Sequence, residues 1–376
     1  MYRLKLYDET LIRFDMFYDE RGFGVENIEI LCEPSRLPLD LVPDEEGLAR
    51  FIKRRAIPKN REFVDKILAQ FGLNHNNVKG IIDICKGLSL NDSCWIVEDG
   101  FEKSFASMNL YQNRFNRTLA LVAFTGNSSS PAKGLSSSPE FTTSGQLAKG
   151  WRRDNGQIVL FKSGTTGYAN AGLEPYSEYY ASQIAEAMGV NHVEYGLAKW
   201  KKRLCSTCPL FTDIDHSFIP MGHLVPSGGM PAVMKYLKGL GEEFYESLLD
   251  MIAFDAVILN TDRHYGNFGL MVDNKTNKPI AFAPLFDNGA GLLPYAMDDD
   301  EFSSPEKLTL YIKTRTPAAY DSFIGMAKSC IGKRQKEKLR RLIGFRFTKR
   351  GRYNLPSARL AALESVVKEQ VEELLG

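Results

Sequence analysis

Apolar positions change their spacing several times along this chain. Over residues 1–30 they fall in short alternating runs, with Asp19-Glu20-Arg21-Gly22 marking a turn, which predicts strands. Residues 44–125 are mixed. Phe63, Ile67, Leu68 and Phe71 keep helical spacing within Glu62–Phe71, and Val78–Ile84 has a similar apolar face. Leu119 to Phe124 is a continuous apolar run, the pattern of a buried strand. Ile158-Val159-Leu160-Phe161 predicts a strand ending at Lys162, and residues 175–188 a helix stopped by Gly189. Val193–Leu197 and Leu210-Phe211 are short strand candidates. Glu243 to Asn260 predicts a long, buried helix through Leu248, Leu249, Ile252, Phe254, Ala256 and Val257. Residues 357–375 predict an amphipathic helix with Ser357 as N-cap and Leu360, Leu363, Val367, Val371 and Leu374 on one face.

These shifts suggest four segments. Residues 1–125 form an N-terminal accessory α/β segment. Residues 126–140, with Gly126-Asn127-Ser128-Ser129-Ser130-Pro131 and Ser136-Ser137-Ser138-Pro139, read as a flexible Ser/Pro/Gly linker that offers phosphate acceptors. Strands dominate 141–215, and helices dominate 216–376.

The bulk composition narrows the picture. The 376 residues, 44% hydrophobic and 25% charged, suit a soluble globular protein of two to three domains. A net charge of +1 gives no global case for nucleic-acid or membrane binding. No apolar run reaches the length of a bilayer span, and the first residues lack a signal-peptide core, so a cytoplasmic location is expected. The six cysteines are too sparse for a disulfide scaffold. Cys205-Ser206-Thr207-Cys208 has no second ligand pair beside it, so reduced structural thiols are expected.

The chemistry lies in Asn260-Thr261-Asp262-Arg263-His264-Tyr265-Gly266-Asn267, followed by Phe286-Asp287-Asn288-Gly289. Asp262 and Asn267 keep the spacing of the kinase catalytic loop, and Asp287 follows an expected apolar strand, Ile280 to Phe286. In phosphoryl transfer one carboxylate orients the acceptor hydroxyl, the role open to Asp262. Oxygen donors such as Asn267 and Asp287 suit magnesium, a hard ion. Upstream, Lys162 at a strand end can reach nucleotide phosphates, and Glu178 on the next helix can pair with it. Thr142-Thr143-Ser144-Gly145-Gln146-Leu147-Ala148-Lys149-Gly150 is a small polar segment that could close over phosphates. Taken singly, each of these has a plainer structural reading; together they favour kinase chemistry.

The order of these motifs, with Ser177-Glu178-Tyr179-Tyr180-Ala181 between them, resembles the HipA-like serine/threonine kinases over roughly residues 140–345. These are bacterial proteins, many of them toxins of toxin–antitoxin pairs. The resemblance implies an α+β, two-lobed protein-kinase-like fold, here preceded by the accessory segment. It implies ATP and Mg2+ as cofactors, a protein substrate, and an antitoxin or regulatory protein as partner. Lys162 would contact ATP phosphates, Asp262 would be catalytic, and Asn267 and Asp287 would hold magnesium. Ser144, Gly145, Lys149, Glu178 and His264 complete the candidate nucleotide contacts. The family often carries Ser-x-Ser-Gly-x-Gln-Pro-Lys, in which a serine is autophosphorylated. Here Thr142 replaces the first serine and the Gln stands one place early.

Two other readings remain open. Asp262-Arg263-His264-x-x-Asn267 is also similar to the catalytic loop of phosphoinositide kinases, which makes a lipid or small-molecule acceptor an alternative. The basic stretch 333–352 could then meet an acidic surface, or simply be a solvated face. A catalytically inactive binding module is the third reading, and the retained Lys162, Asp262, Asn267 and Asp287 argue against it.

Overall fold

The computed structural model describes residues 1–127 and 138–376. Most of the expected linker, including Ser128–Ser130 and Ser136–Ser137, lies outside the described residues. The chain forms two compact units that do not follow chain order. The first comprises Met1–Lys162, Leu210–Ile219 and Met271–Ile280; the second comprises Ser163–Pro209, Pro220–Leu270 and Ala281–Gly376.

The first unit opens with strands β1 (Tyr2–Leu6), β2 (Glu9–Asp19) and β3 (Gly22–Ile30). Helices α1 (Glu45–Lys53), α2 (Val64–Ala69) and α3 (Val78–Cys85) follow, then β4 (Cys94–Glu98), α4 (Phe105–Met108) and α5 (Arg117–Thr125). The four strands form an antiparallel sheet in the order β3-β2-β1-β4, with Leu4 opposite Ile12 and Tyr2 opposite Phe14. Leu4, Ile12 and Phe14 share one fully buried core with Leu48 and Ile52 of α1, Ile67 and Leu68 of α2, and Ile81 and Ile82 of α3. Each such side chain contributes about 1.5–3 kcal/mol on burial. The spacing-based helices at 62–71 and 78–84 are therefore present as α2 and α3.

The apolar run Leu119–Phe124 is a helix, not a strand. Asn116 caps α5 by accepting the backbone N–H groups of Thr118 and Leu119 at 3.0 and 3.1 Å, and Gly126 ends it at φ 75°. Burial around most of the helix erased the periodicity, and the two caps are what distinguish it from a buried strand.

Strands β5 (Lys149–Asp154) and β6 (Gln157–Ser163) make a hairpin. Its turn is Asn155-Gly156, at φ 47° and 83°, the residues a tight two-residue turn favours. The register sets Lys149 directly opposite Lys162.

In the second unit α6 (Glu174–Met188) matches the predicted helix, and Gly189 closes it at φ 68°. Strands β7 (Gly196–Trp200) and β8 (Arg203–Pro209) form a second hairpin, so the strand expected at 193–197 begins later and Leu210-Phe211 lies outside any strand. Strand β9 (His216–Pro220), helices α7 (Met221–Leu224), α8 (Gly229–Leu240) and α9 (Glu242–Ile258), and strands β10 (Gly269–Asp273) and β11 (Lys278–Phe282) follow. The three strands form a sheet in the order β11-β10-β9, with most of their residues in the first unit. The chain ends in α10 (Pro305–Lys313), α11 (Phe323–Cys330), α12 (Lys333–Arg340) and α13 (Ser357–Leu375).

Helix α9 is the centre of the second unit and packs against α8, α11, α12 and α13. Residues Leu248 through Ile258 are buried on every side, as the apolar run predicts. Ser357 is the first helical residue of α13 and not its cap; Pro356 takes the cap position, and the Ser357 hydroxyl accepts from Lys349 at 2.7 Å. The basic stretch is partly neutralised at home. Arg334 pairs with Glu243 at 3.1 Å, Lys338 with Asp250 at 2.6 Å, and Arg346 with Glu364 at 3.4 Å.

All six cysteines are free thiols. Burial pushes the Cys85 thiol up to about 12 and Cys330 to about 11, which makes both poor nucleophiles. Among the described residues no helix is long and apolar enough to cross a membrane.

Candidate active site

The catalytic-loop motif begins where α9 stops. Leu259 takes a left-handed conformation, φ 55°, and breaks the helix. The next residue, Asn260, is fully buried, and its side-chain oxygen accepts the Asp262 backbone N–H at 3.2 Å. The Asp262 carbonyl accepts the His264 N–H at 2.8 Å and the Asn267 side-chain amide at 3.0 Å. The Asn267 amide nitrogen is thus spent on the loop, and its oxygen is the atom it can offer a cation. Asp262 and His264 are exposed, whereas Asn267 is buried. His264 Nδ1 accepts from Gly266 N–H at 3.0 Å, and a Cβ at Gly266 would lie 2.7 Å from the His264 ring. Any larger residue there would push the His264 ring out of this position.

Arg263 points the other way, into the core, with no exposed surface. Its guanidinium binds both oxygens of Asp255, at 2.9 and 3.0 Å, one helical stretch upstream on α9. The same group donates to the Asn267 carbonyl at 2.9 Å, the Phe286 carbonyl at 2.7 Å and the Asn288 side-chain oxygen at 2.6 Å. Burial opposes its charge, yet Asp255, and less strongly Asp287, carry its pKa upward. Five donated hydrogen bonds, two of them to the Asp255 carboxylate, satisfy this buried cation, the condition for keeping it there.

Asp287 lies just past the isolated bridge that pairs Leu285 with His192, so the strand expected to run to Phe286 ends earlier, at Phe282. Asp287 itself is left-handed, φ 54°. Its backbone N–H donates to the Tyr195 hydroxyl at 3.0 Å, and the next N–H, of Asn288, donates to a Glu178 carboxylate oxygen at 2.8 Å. Burial, then the charges of Glu178 and Asp287 among others, raise the Tyr195 phenol well above its ordinary value, so it stays a neutral hydroxyl.

The segment beyond is held tightly. Leu292 and Leu293 are consecutive left-handed residues, φ 56° and 55°, and both are buried. That conformation costs roughly 1–2 kcal/mol for each residue with a side chain. The Leu292 N–H donates to the Ile258 carbonyl at 2.6 Å. Arg359, buried on α13, donates to the carbonyls of Leu293 at 2.8 Å and Ala296 at 3.0 Å, and to Asp298 at 2.7 Å. Its guanidinium also lies 4.2 Å from the centre of the Phe302 ring.

The other candidates belong to the first unit. Ser144 is exposed, Gly145 is left-handed at φ 89°, and buried Lys149 reaches back to the Ser144 carbonyl at 2.9 Å. Lys162 is also buried. The segment is framed from the accessory region. Arg61 and Glu140, both fully buried, pair at 2.7 Å, and Arg61 also donates to the Thr143 and Lys149 carbonyls at 3.2 Å. Glu62 accepts the Ala148 N–H at 3.0 Å and donates its own N–H to Gln146 at 2.9 Å.

Asp262, Asn267, Asp287 and Glu178 are therefore linked through short hydrogen-bonded paths within one unit. Sequence reasoning overlooked Tyr195, Asn288, and the use of Arg263 with Asp255. A signal for the last pair existed: Asp255 is a carboxylate inside an otherwise apolar, buried helix stretch, and it needs a buried cation.

Over part of its length the chain is similar in sequence to a protein kinase, and in fold it is similar to HipA. No protein-family model matches the chain. Over 137 residues, 33% of the chain, it is 28% identical to the serine/threonine-protein kinase CtkA of Helicobacter pylori, and spans 42% of that relative's length. A solved structure of the H. pylori proinflammatory kinase CtkA aligns with a TM-score of 0.48 and 18% identity, over 60% of this chain and 91% of that one. HipA of Shewanella oneidensis MR-1, solved with HipB and its operator DNA, covers 100% of this chain and 96% of its own, with a TM-score of 0.52 and 12% identity. The mixed helix-and-sheet fold is accordingly that of HipA.

Proposed function

We propose that this chain is an ATP- and magnesium-dependent kinase of HipA type that transfers the γ-phosphate to a serine or threonine hydroxyl of a protein. The observation that supports it best is the single buried guanidinium of Arg263, which binds the Asn267 carbonyl, the Phe286 carbonyl and the Asn288 side chain together. It fixes the loop bearing Asp262 to the loop bearing Asp287, and phosphoryl transfer depends chiefly on such positioning.

In this reading exposed Asp262 orients the acceptor hydroxyl and takes its proton. The Asn267 amide oxygen and the Asp287 carboxylate are the hard donors for magnesium. Among the described residues no three His, Cys, Asp or Glu side chains cluster to hold a metal alone, so phosphate oxygens would complete the set. When bound, the ion neutralises charge on the transferring phosphoryl group. Lys162, Lys149, Ser144 and Gly145 keep the phosphate contacts that the resemblance assigns them. A regulatory partner of the antitoxin kind and autophosphorylation near Ser144 belong to the same reading.

The test is phosphate transfer from labelled Mg·ATP, to the protein itself and to a bacterial extract, for wild type and Asp262→Asn. The expected loss is about 10²–10⁴-fold, the range for a general acid/base group. The variant should keep its melting temperature, because Asp262 is exposed. An unchanged rate overturns the assignment, and transfer to inositol lipid in place of protein overturns the acceptor class.

A further inference from the structure

Between Asp287 and α10 the chain does something costly at two residues that are not glycine. Leu292 and Leu293 are both left-handed, φ 56° and 55°, and both are buried. Two bulky side chains in that region persist only where the surroundings over-determine them, and such strain gathers at functional segments. Here two of the restraints come from outside the segment. The carbonyl of Ile258, at the end of α9, accepts the Leu292 N–H at 2.6 Å. The guanidinium of Arg359 donates to the carbonyls of Leu293 and Ala296 and to Asp298, and the Leu293 carbonyl also accepts the Ala296 N–H at 3.2 Å.

We propose that Arg359 is a positioning residue: its fork holds the strained Leu292–Leu293 turn, and through it keeps Asp287 in register with Asp262 and Asn267. Four residues separate Asp287 from Leu292, and Ile258 stands two residues before Asn260. The turn therefore fastens the end of the Asp287 loop to the start of the Asp262 loop. A lysine could place one charge near Asp298 but could not serve two carbonyls and a carboxylate with a planar fork. Without Arg359 the Leu293 and Ala296 carbonyls lose a buried donor, and relaxing the turn to a right-handed conformation becomes favourable.

The role in catalysis rests on the kinase reading; the structural part does not. Both can be read on the full-length protein. The direct probe is hydrogen exchange at the Leu292 amide. Arg359→Lys and Arg359→Ala should speed it at least about tenfold, with Arg359→Lys serving if the alanine variant does not fold. In a Leu293→Gly background, where the left-handed conformation is free, the effect of Arg359→Ala should shrink. Unchanged exchange in Arg359→Lys, or an effect undiminished by Leu293→Gly, overturns the clamp even in an active enzyme. The second readout is ATP turnover against magnesium concentration. Arg359→Lys should raise the magnesium needed for half-maximal rate several-fold more than it changes the apparent KM for the acceptor. Faster exchange with an unaltered magnesium profile would overturn the catalytic role alone, and a wild type without ATP turnover would overturn the kinase reading instead.

Discussion

Arg263 and Asp255 form a two-pronged ion pair, 2.9 and 3.0 Å, with no exposed surface on either side chain. Burial holds the Asp255 carboxyl above its ordinary value even though Arg263 pulls against it, so the charge on each depends on the other. Arg263→Ala would leave Asp255 buried without its cation. Removing one partner of a buried pair costs about 3–5 kcal/mol. Thermal unfolding should show that loss, together with loss of activity. Arg263→Lys should restore only part of either, because one ammonium cannot reach the four partners that the fork serves.

Tyr195 offers a milder test of the same region. Its hydroxyl accepts the Asp287 N–H, so Tyr195→Phe leaves that donor without its partner. The expected cost is about 1–3 kcal/mol if the group stays dry. ATP turnover should fall, and the magnesium concentration for half-maximal rate should rise, while the ring keeps its packing. An unchanged magnesium profile would show that Asp287 does not need this hydroxyl.

In the first unit His216 pairs with Asp213 at 2.9 Å. The hydrogen bond to Asp213 raises the His216 pKa above its ordinary 6.5. On the Asp213 side burial works upward, but the bond to His216 leaves the carboxyl below its ordinary 3.8. The His216 contribution is therefore complete below about pH 6.5 and disappears as pH rises through the raised value. The Asp213 contribution is complete above about pH 3.8 and disappears as pH falls through the lowered value. Urea unfolding of wild type and His216→Asn should differ most near pH 5–6 and converge in mildly alkaline buffer. A constant difference across that range would show that the pair adds nothing that titrates.

The long helices were legible because their periods were clean: α6 and α9 begin and end within about two residues of the pattern. Helix α5 was not legible, since apolar burial hides a period of 3.6. Proximity among Asp262, Asn267 and Asp287 could be argued from motif order. The way they are held could not, because Tyr195, Arg263 and Arg359 act through backbone carbonyls and amides that no sequence pattern marks. The accessory region was the least readable. Only the fold shows that Arg61 and Glu62 grip the backbone of residues 143–149.

The first compact unit is assembled from three separate stretches of chain, the last ending at Ile280. A ribosome adding residues in order cannot deliver that unit complete until Ile280 has been made. No cut of the chain at a single point releases the first unit whole.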